Sequence, residues 1–209
     1  MTANKRYHDL NRFLRERFGC RIQKITVDAG FTCPNRDGTC GRGGCIYCSN
    51  EGFSYNTRKG VPPLAEQLRQ GIDYMRRRFR AEKFIAYFQA YSSTHGPPAR
   101  LKKIYDTIRR FPEIAGLFIS TRPDCLSEEV LELIETYRED YLVWLELGLQ
   151  SATDTTLRRI NRGHTVADFT DAVTRAARRG LPVCAHVILG LPGETKREIL
   201  KTAELLATL

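Results

Sequence analysis

Strand-like apolar runs and helix-spaced apolar stripes alternate along this sequence five times. The runs are Ile25-Thr-Val-Asp28, Phe84 to Phe88, Leu117 to Ile119, Val143 to Leu145, and Val183 to Leu189. Between them, Leu64, Leu68, Ile72, Met75 and Phe79 recur at helical spacing behind Pro62 and Pro63, which suit a helix start. Leu101, Ile104, Tyr105 and Ile108 form a second stripe, and Leu131 and Ile134 a third, the latter behind Ser127 as cap and the acids Glu128 and Glu129. Asp154 and Thr165 are read as caps of two further helical segments, the second burying Phe169, Val173 and Ala176. Thr195 with Glu198 has the form of a capping box. Repeated β-loop-helix units imply an α/β fold in which a parallel sheet is covered by helices. Winding such a chain gives a barrel-like or a doubly wound sheet, and both gather ligands at the C-terminal ends of the strands.

The informative polar residues fall at those ends: a cysteine-rich loop after the first strand, Gln89 to Tyr91 after the second, Ser120 to Arg122 after the third, Glu146 to Gln150 around the fourth, and Gly190 after the fifth. The expectation is one domain over residues 1–209, with an N-terminal extension to about residue 24. The last helical stretch runs to Leu209, and further strands are expected beyond it. The segment MTANKRYHDLNRFL carries no long apolar run, so neither a signal peptide nor a membrane contact is expected, and the cytoplasm is the anticipated location.

A formal net charge of +9 favours an anionic partner such as RNA. The excess lies in short clusters, Arg76 to Arg78, Arg109–Arg110, Arg158–Arg159 and Arg178–Arg179, each of which also reads as an ordinary solvated helix face.

Seven cysteines without a secretion signal point to metal binding before disulfides. Cys33, Cys40, Cys45 and Cys48 fall within sixteen residues, while Cys20, Cys125 and Cys184 stand alone and read as small apolar core residues. Cys45 and Cys48 form a Cys-x-x-Cys pair, and Gly41, Gly43 and Gly44 permit close backbone approach. Thiolates in this pattern suit zinc or an iron–sulfur centre, and spacing alone leaves the two open. A zinc knuckle needs no parallel sheet behind it, whereas a cluster on the first βα loop faces the strand ends where a cofactor binds.

Four stretches carry a family likeness: DAGFTCPNRDGTCGRGGCIYCS at 28–49, YFQAYSST at 87–94, ELGLQSATDTTLRRINRGHT at 146–165 and HVILGLPGET at 186–195. They resemble the radical S-adenosylmethionine (radical SAM) superfamily, and within it the YhcC-like group related to the catalytic subunit of Elongator. The resemblance implies a partial (βα) TIM-like barrel. It also implies a [4Fe–4S] cluster that reductively cleaves SAM to a 5′-deoxyadenosyl radical. The usual superfamily loop is Cys-x3-Cys-x-aromatic-Cys, but Gly41 stands four before Cys45 here. In the YhcC-like group the first ligand lies upstream, which implies Cys33, Cys45 and Cys48 as ligands and leaves Cys40 a bystander.

Further roles follow from the resemblance. Tyr47 is expected near the adenine, and Gln89 and Tyr91 near the methionyl amine. Gln150 and Arg162 match a Gln-x11-Arg pair that meets SAM in coproporphyrinogen-oxidase-like enzymes. Ser120 and His186 are expected on the ribose side, with Ile188 to Gly190 beside the adenine. A reductant such as flavodoxin or ferredoxin is implied. Resemblance and charge together point to tRNA, through a wobble-uridine side chain, as substrate. The rival from another class is a zinc-stabilised RNA-binding module without redox catalysis.

Overall fold

The structure, a computed structural model, describes residues 7–49 and 60–209. Met1 to Arg6 of the expected N-terminal extension and Asn50 of the cysteine loop lie outside the described residues. Five strands, β1 (Ile22–Val27), β2 (Lys83–Phe88), β3 (Ile114–Thr121), β4 (Leu142–Gln150) and β5 (Val183–Val187), form one parallel sheet in sequential order. Among the described residues, the helices are α1 (Leu10–Phe18), the single turn α2 (Pro34–Asp37), α3 (Leu64–Phe79), α4 (Pro98–Tyr105), α5 (Glu128–Glu135), α6 (Asp154–Arg159), α7 (Val166–Arg178) and α8 (Lys196–Thr208). None of the described helices is long and apolar enough to cross a membrane.

Strand side chains alternate between two faces. On one, Val27, Ala86, Phe88, Leu117, Ile119, Val143 and Leu145 are buried with Leu68 and Ile72 of α3, Leu101 and Tyr105 of α4, Leu131 and Ile134 of α5, and Phe169, Ala172 and Ala176 of α7. On the other, Ile22, Ile85, Tyr87, Phe118 and Leu142 pack with Leu14 of α1, and Leu10, Phe13, Phe18 and Trp144 border them. Helix α1 therefore closes the N-terminal end of the concave face. The sequence reading placed only an extension there, although Asp9 caps the helix through Arg12 N and Gly19 ends it in the left-handed conformation.

Several elements differ from expectation. Strand β1 begins at Ile22, inside the anticipated extension. Helix α4 ends at Tyr105 and continues as a 3-10 turn over Asp106–Arg110. Strand β5 ends at Val187, where its pairing with β4 reaches Gln150 after a register shift between Gly148 and Gln150. Asp154 is the first residue of α6, not its cap; its carboxylate accepts from Val166 N and holds the start of α7. Val173 is only partly buried, and Ala172 takes the core position. Cys20, Cys125 and Cys184 are half-buried instead of core residues. The Ser127 cap and the capping boxes at Thr165–Asp168 and Thr195–Glu198 form as the sequence implies.

Candidate cluster and cofactor site

A cavity of about 320 Å³ opens at the C-terminal ends of the strands. Cys33, Cys45, Cys48, Tyr47, Gln89, Tyr91, Ser120, Gln150, Arg162 and His186 all line it. Gly190 does not; Val187 and Ile188 stand there instead, and Gly190 occupies the following turn with a φ of 81°. Arg36 and Ser92 line the cavity without having been singled out from the sequence, and Arg122, which follows β3, joins Ser120 there.

The loop takes its shape from a short motif. Cys33 precedes the single turn of α2, where Pro34 needs no N–H partner, and its carbonyl accepts from Arg36 N and Asp37 N. Gly38 ends the turn with a φ of 94°. The Pro34 carbonyl then accepts from Cys40 N and Gly41 N, which leaves the Cys40 side chain exposed and away from the cavity lining. Cys45 is buried, while Cys33 and Cys48 are half-buried.

A second segment, Ile160 to Gly163, is stitched onto this loop. Ile46 N donates to Ile160 O at 3.1 Å, and Asn161 Nδ2 donates to Gly44 O at 2.7 Å. Arg162, 7% exposed, has one partner for each guanidinium nitrogen: Nε donates to His164 Nε2 at 2.7 Å, Nη1 to Cys45 Sγ at 3.6 Å and Nη2 to Gly148 O at 2.9 Å, which leaves a second N–H on each Nη. Accepting from Arg162 at Nε2 puts the His164 proton on Nδ1, which faces Thr165 O at 3.2 Å, and leaves Gly148 O 3.0 Å from Nε2 with no proton between them. Burial and the neighbouring Arg162 charge push His164 down to about 4, so it stays neutral and able to accept. Arg122, 2% exposed, forms two bonds to Asp124 and donates Nη1 to Arg162 O at 2.7 Å. Tyr91 and Gln150 in the lining and Asn161 beside it hold left-handed backbones at φ of 58°, 72° and 54°. Such conformations cost energy in non-glycine residues and collect where a site demands them.

Deeper in the concave face, Glu146 is 3% exposed and pairs with Lys24 Nζ and His186 Nε2, each at 3.0 Å. Burial pushes its carboxyl up, but bonds from His186, Tyr87 and Lys24 outweigh this and hold it at about 2. Hydrogen bonds with Cys184 and then Glu146, opposed by burial, raise His186 to about 9.

Cys33, Cys45 and Cys48 bring three thiols to one cavity, a donor set that fits a thiolate-bound metal centre. The Ser92 and Tyr47 hydroxyls are buried without a hydrogen-bond partner among the described residues, and both border that cavity. Burial also raises the Tyr47 phenol above its ordinary value.

Residues 36–206 match the radical SAM superfamily. The chain belongs to that superfamily. The matched span includes Cys45 and Cys48 and begins after Cys33. Among curated relatives, the chain is 45% identical over 192 residues to protein YhcC of Escherichia coli (strain K12), covering 91% of this chain and 61% of that protein. It is 38% identical over 208 residues to YtqA of Bacillus subtilis (strain 168), covering 100% of this chain and 65% of the relative. The chain thus spans less than two thirds of either relative. A tRNA-2-methylthio-N(6)-dimethylallyladenosine synthase of Xanthomonas oryzae pv. oryzae is 30% identical over 129 residues, which is 58% of this chain and 26% of that protein. Among solved structures, Elp3 of the archaeon Methanocaldococcus infernus superposes with a TM-score of 0.62 at 19% identity, covering 88% of this chain and 41% of Elp3. Coproporphyrinogen III oxidase (HemN) of E. coli superposes with a TM-score of 0.58 at 17% identity, covering 97% of this chain and 45% of HemN. These likenesses agree with the α/β partial-barrel fold expected from the sequence.

Proposed function

We propose that this chain is the catalytic core of a radical SAM enzyme, with a [4Fe–4S] cluster held by Cys33, Cys45 and Cys48. The observation that carries the reading is the meeting of these three thiols around one cavity, lined also by Gln150, Arg162 and His186, in a member of the superfamily. When bound and reduced, the cluster supplies the electron that cleaves SAM to a 5′-deoxyadenosyl radical. The protein's part is to bind and orient. Arg162 and Gln150 receive the methionyl carboxylate, for which a guanidinium fork is suited. Gln89 and Tyr91 meet the methionyl amine, Ser120 and His186 the ribose, and Tyr47 the adenine. Gly190, away from the cavity lining, shapes the turn that brings Ile188 to the adenine side. A low-potential protein such as flavodoxin or ferredoxin delivers the electron. Reduced thiols suit the cytoplasm as the working compartment.

For substrate we propose tRNA, acted on at a wobble-uridine side chain. The net charge of +9 supports an anionic partner. Part of the basic surface is neutralised: Arg109 pairs with Asp106 and Asp140, and Arg179 with Glu128, Glu132 and Glu135. Arg36 and Arg42 lie instead in the cysteine loop, where Arg36 lines the cavity, and Arg158 and Arg159 end α6 just before the stitched turn. The tRNA-modifying relative named above supports the same substrate class.

The test is anaerobic reconstitution with iron and sulfide, reduction by dithionite with SAM, and quantitation of 5′-deoxyadenosine beside Cys45→Ala. About four irons per chain and cleavage only by the parent protein are expected. One tightly bound zinc without SAM cleavage would overturn the reading and favour the zinc-stabilised RNA-binding module.

A further inference from the structure

Asn35 follows Cys33 by two residues and is 1% exposed. Its amide nitrogen has two hydrogens and two acceptors: Asn161 O at 2.5 Å and Cys45 Sγ at 3.6 Å. Its backbone carbonyl accepts from Gly44 N at 2.9 Å. The amide oxygen lies so close to Gly41 that any side chain there would collide with it. The side chain is thus fixed on both edges, by packing at its oxygen and by hydrogen bonding at its nitrogen. Cys45 receives a second donor from Arg162 Nη1, also at 3.6 Å. Arg162 has a separate duty toward SAM, and no such duty falls to Asn35, which is absent from the cavity lining.

We propose that Asn35 is a positioning residue that sets the reduction potential of the bound cluster through its N–H on the Cys45 thiolate. The inference rests on the cluster assigned above. Reduction adds one electron from a low-potential donor to the [4Fe–4S] core, taking it from 2+ to 1+, and no bond forms or breaks. The extra negative charge is shared with the thiolate sulfurs. A donor aimed at one of them stabilises the reduced form more than the oxidised form and raises the potential. The low dielectric around a buried sulfur strengthens the effect.

Asn35→Ala removes the donor. Asn35→Asp keeps the shape and puts a carboxyl oxygen where the N–H was. The experiment is an EPR-monitored dithionite titration of reconstituted parent and both variants without SAM, with iron and sulfide measured on each sample. The expected result is full iron in all three and a potential shifted to more negative values in Asn35→Ala, and further in Asn35→Asp. Variants that keep their iron and titrate at the parent's potential would overturn the proposal. Loss of iron from both variants while the parent keeps it would also overturn it, in favour of a purely structural role. A parent that binds no iron would bring down the cluster reading itself, an outcome distinct from both.

Discussion

Replacing Gly148 by alanine tests the site through one methyl group. Gly148 lies on β4, and its carbonyl accepts from Arg162 Nη2. A Cβ at this position would sit 2.6 Å from Arg162 Nη2 and collide with Gln150 Nε2. Contact between carbon and nitrogen at rest needs roughly 3.5 Å, so the guanidinium must retreat by nearly 1 Å. It cannot do so freely, because Nε is held by His164 and Nη1 faces Cys45. Inserting a methyl group into a packed site costs about 1–3 kcal/mol, and one weakened hydrogen bond to a charged group about 1.5–3 kcal/mol. Partial relaxation leaves a combined loss of about 2–3 kcal/mol. For a protein of this size that lowers the melting temperature by about 4–12 °C, at roughly 2–4 °C per kcal/mol. If Arg162 holds the SAM carboxylate, a loss of about 2 kcal/mol in binding weakens SAM roughly 30-fold. Differential scanning fluorimetry and anaerobic calorimetry on reconstituted protein give both numbers. A variant that melts with the parent and binds SAM within a factor of about two would refute the packing argument and the role of Arg162 together.

Three further outcomes are expected. Cys33→Ala should lose the cluster, whereas Cys40→Ala should keep about four irons; iron and sulfide analysis separates them, and the reverse result would move the first ligand to Cys40. His186 is raised from 6.5 to about 9, so its stabilisation is fully present below pH 6.5 and is lost as pH rises through about 9. Thermal melts of the apo protein should therefore fall across that window, and those of His186→Gln should fall less; parallel curves would reject the partnership of His186 with Cys184 and Glu146. Leu14→Ala should cost about 2–5 kcal/mol in urea unfolding, because it empties the apolar floor that α1 provides; a cost below about 1 kcal/mol would mean that α1 is not needed to close the concave face.

The sheet was legible because β2, β3 and β4 are runs of largely buried residues and α3 carries an apolar stripe, as with Phe84 to Phe88 and with Leu68 and Ile72. Capping chemistry at Ser127, Thr165 and Thr195 is local and could be read directly. The same signals are present in α1, with Asp9 and Gly19 around Leu10, Phe13 and Leu14, and its partners run from Ile22 of the next strand to Leu142 of β4. Asp154 misled for a similar reason: its carboxylate serves a helix twelve residues on. Most candidate site residues reached the cavity because strand ends collect them. Asn35 was missed, and Arg122 and Glu146 were read only as polar residues at strand ends without a role, because their partners lie 126, 40 and 122 residues away in sequence. No spacing rule carries that information. Gly190 lies beyond the end of β5, in the turn that follows, and outside the cavity lining.

The stitching of the cysteine loop to the Ile160–Gly163 turn bears on the order of assembly. Its bonds join residues separated by 117 and 126 positions. Contacts of such range form late, after the entropy of closing the intervening chain has been met. During synthesis the thiols of Cys33, Cys45 and Cys48 emerge well before Asn161 and Arg162 exist to fasten them. Local bonds shape the turn that follows Cys33, but the Cys45 side of the loop is fastened only when Asn161 and Arg162 have been made and docked, so a nascent chain presents the same cysteines without the finished site.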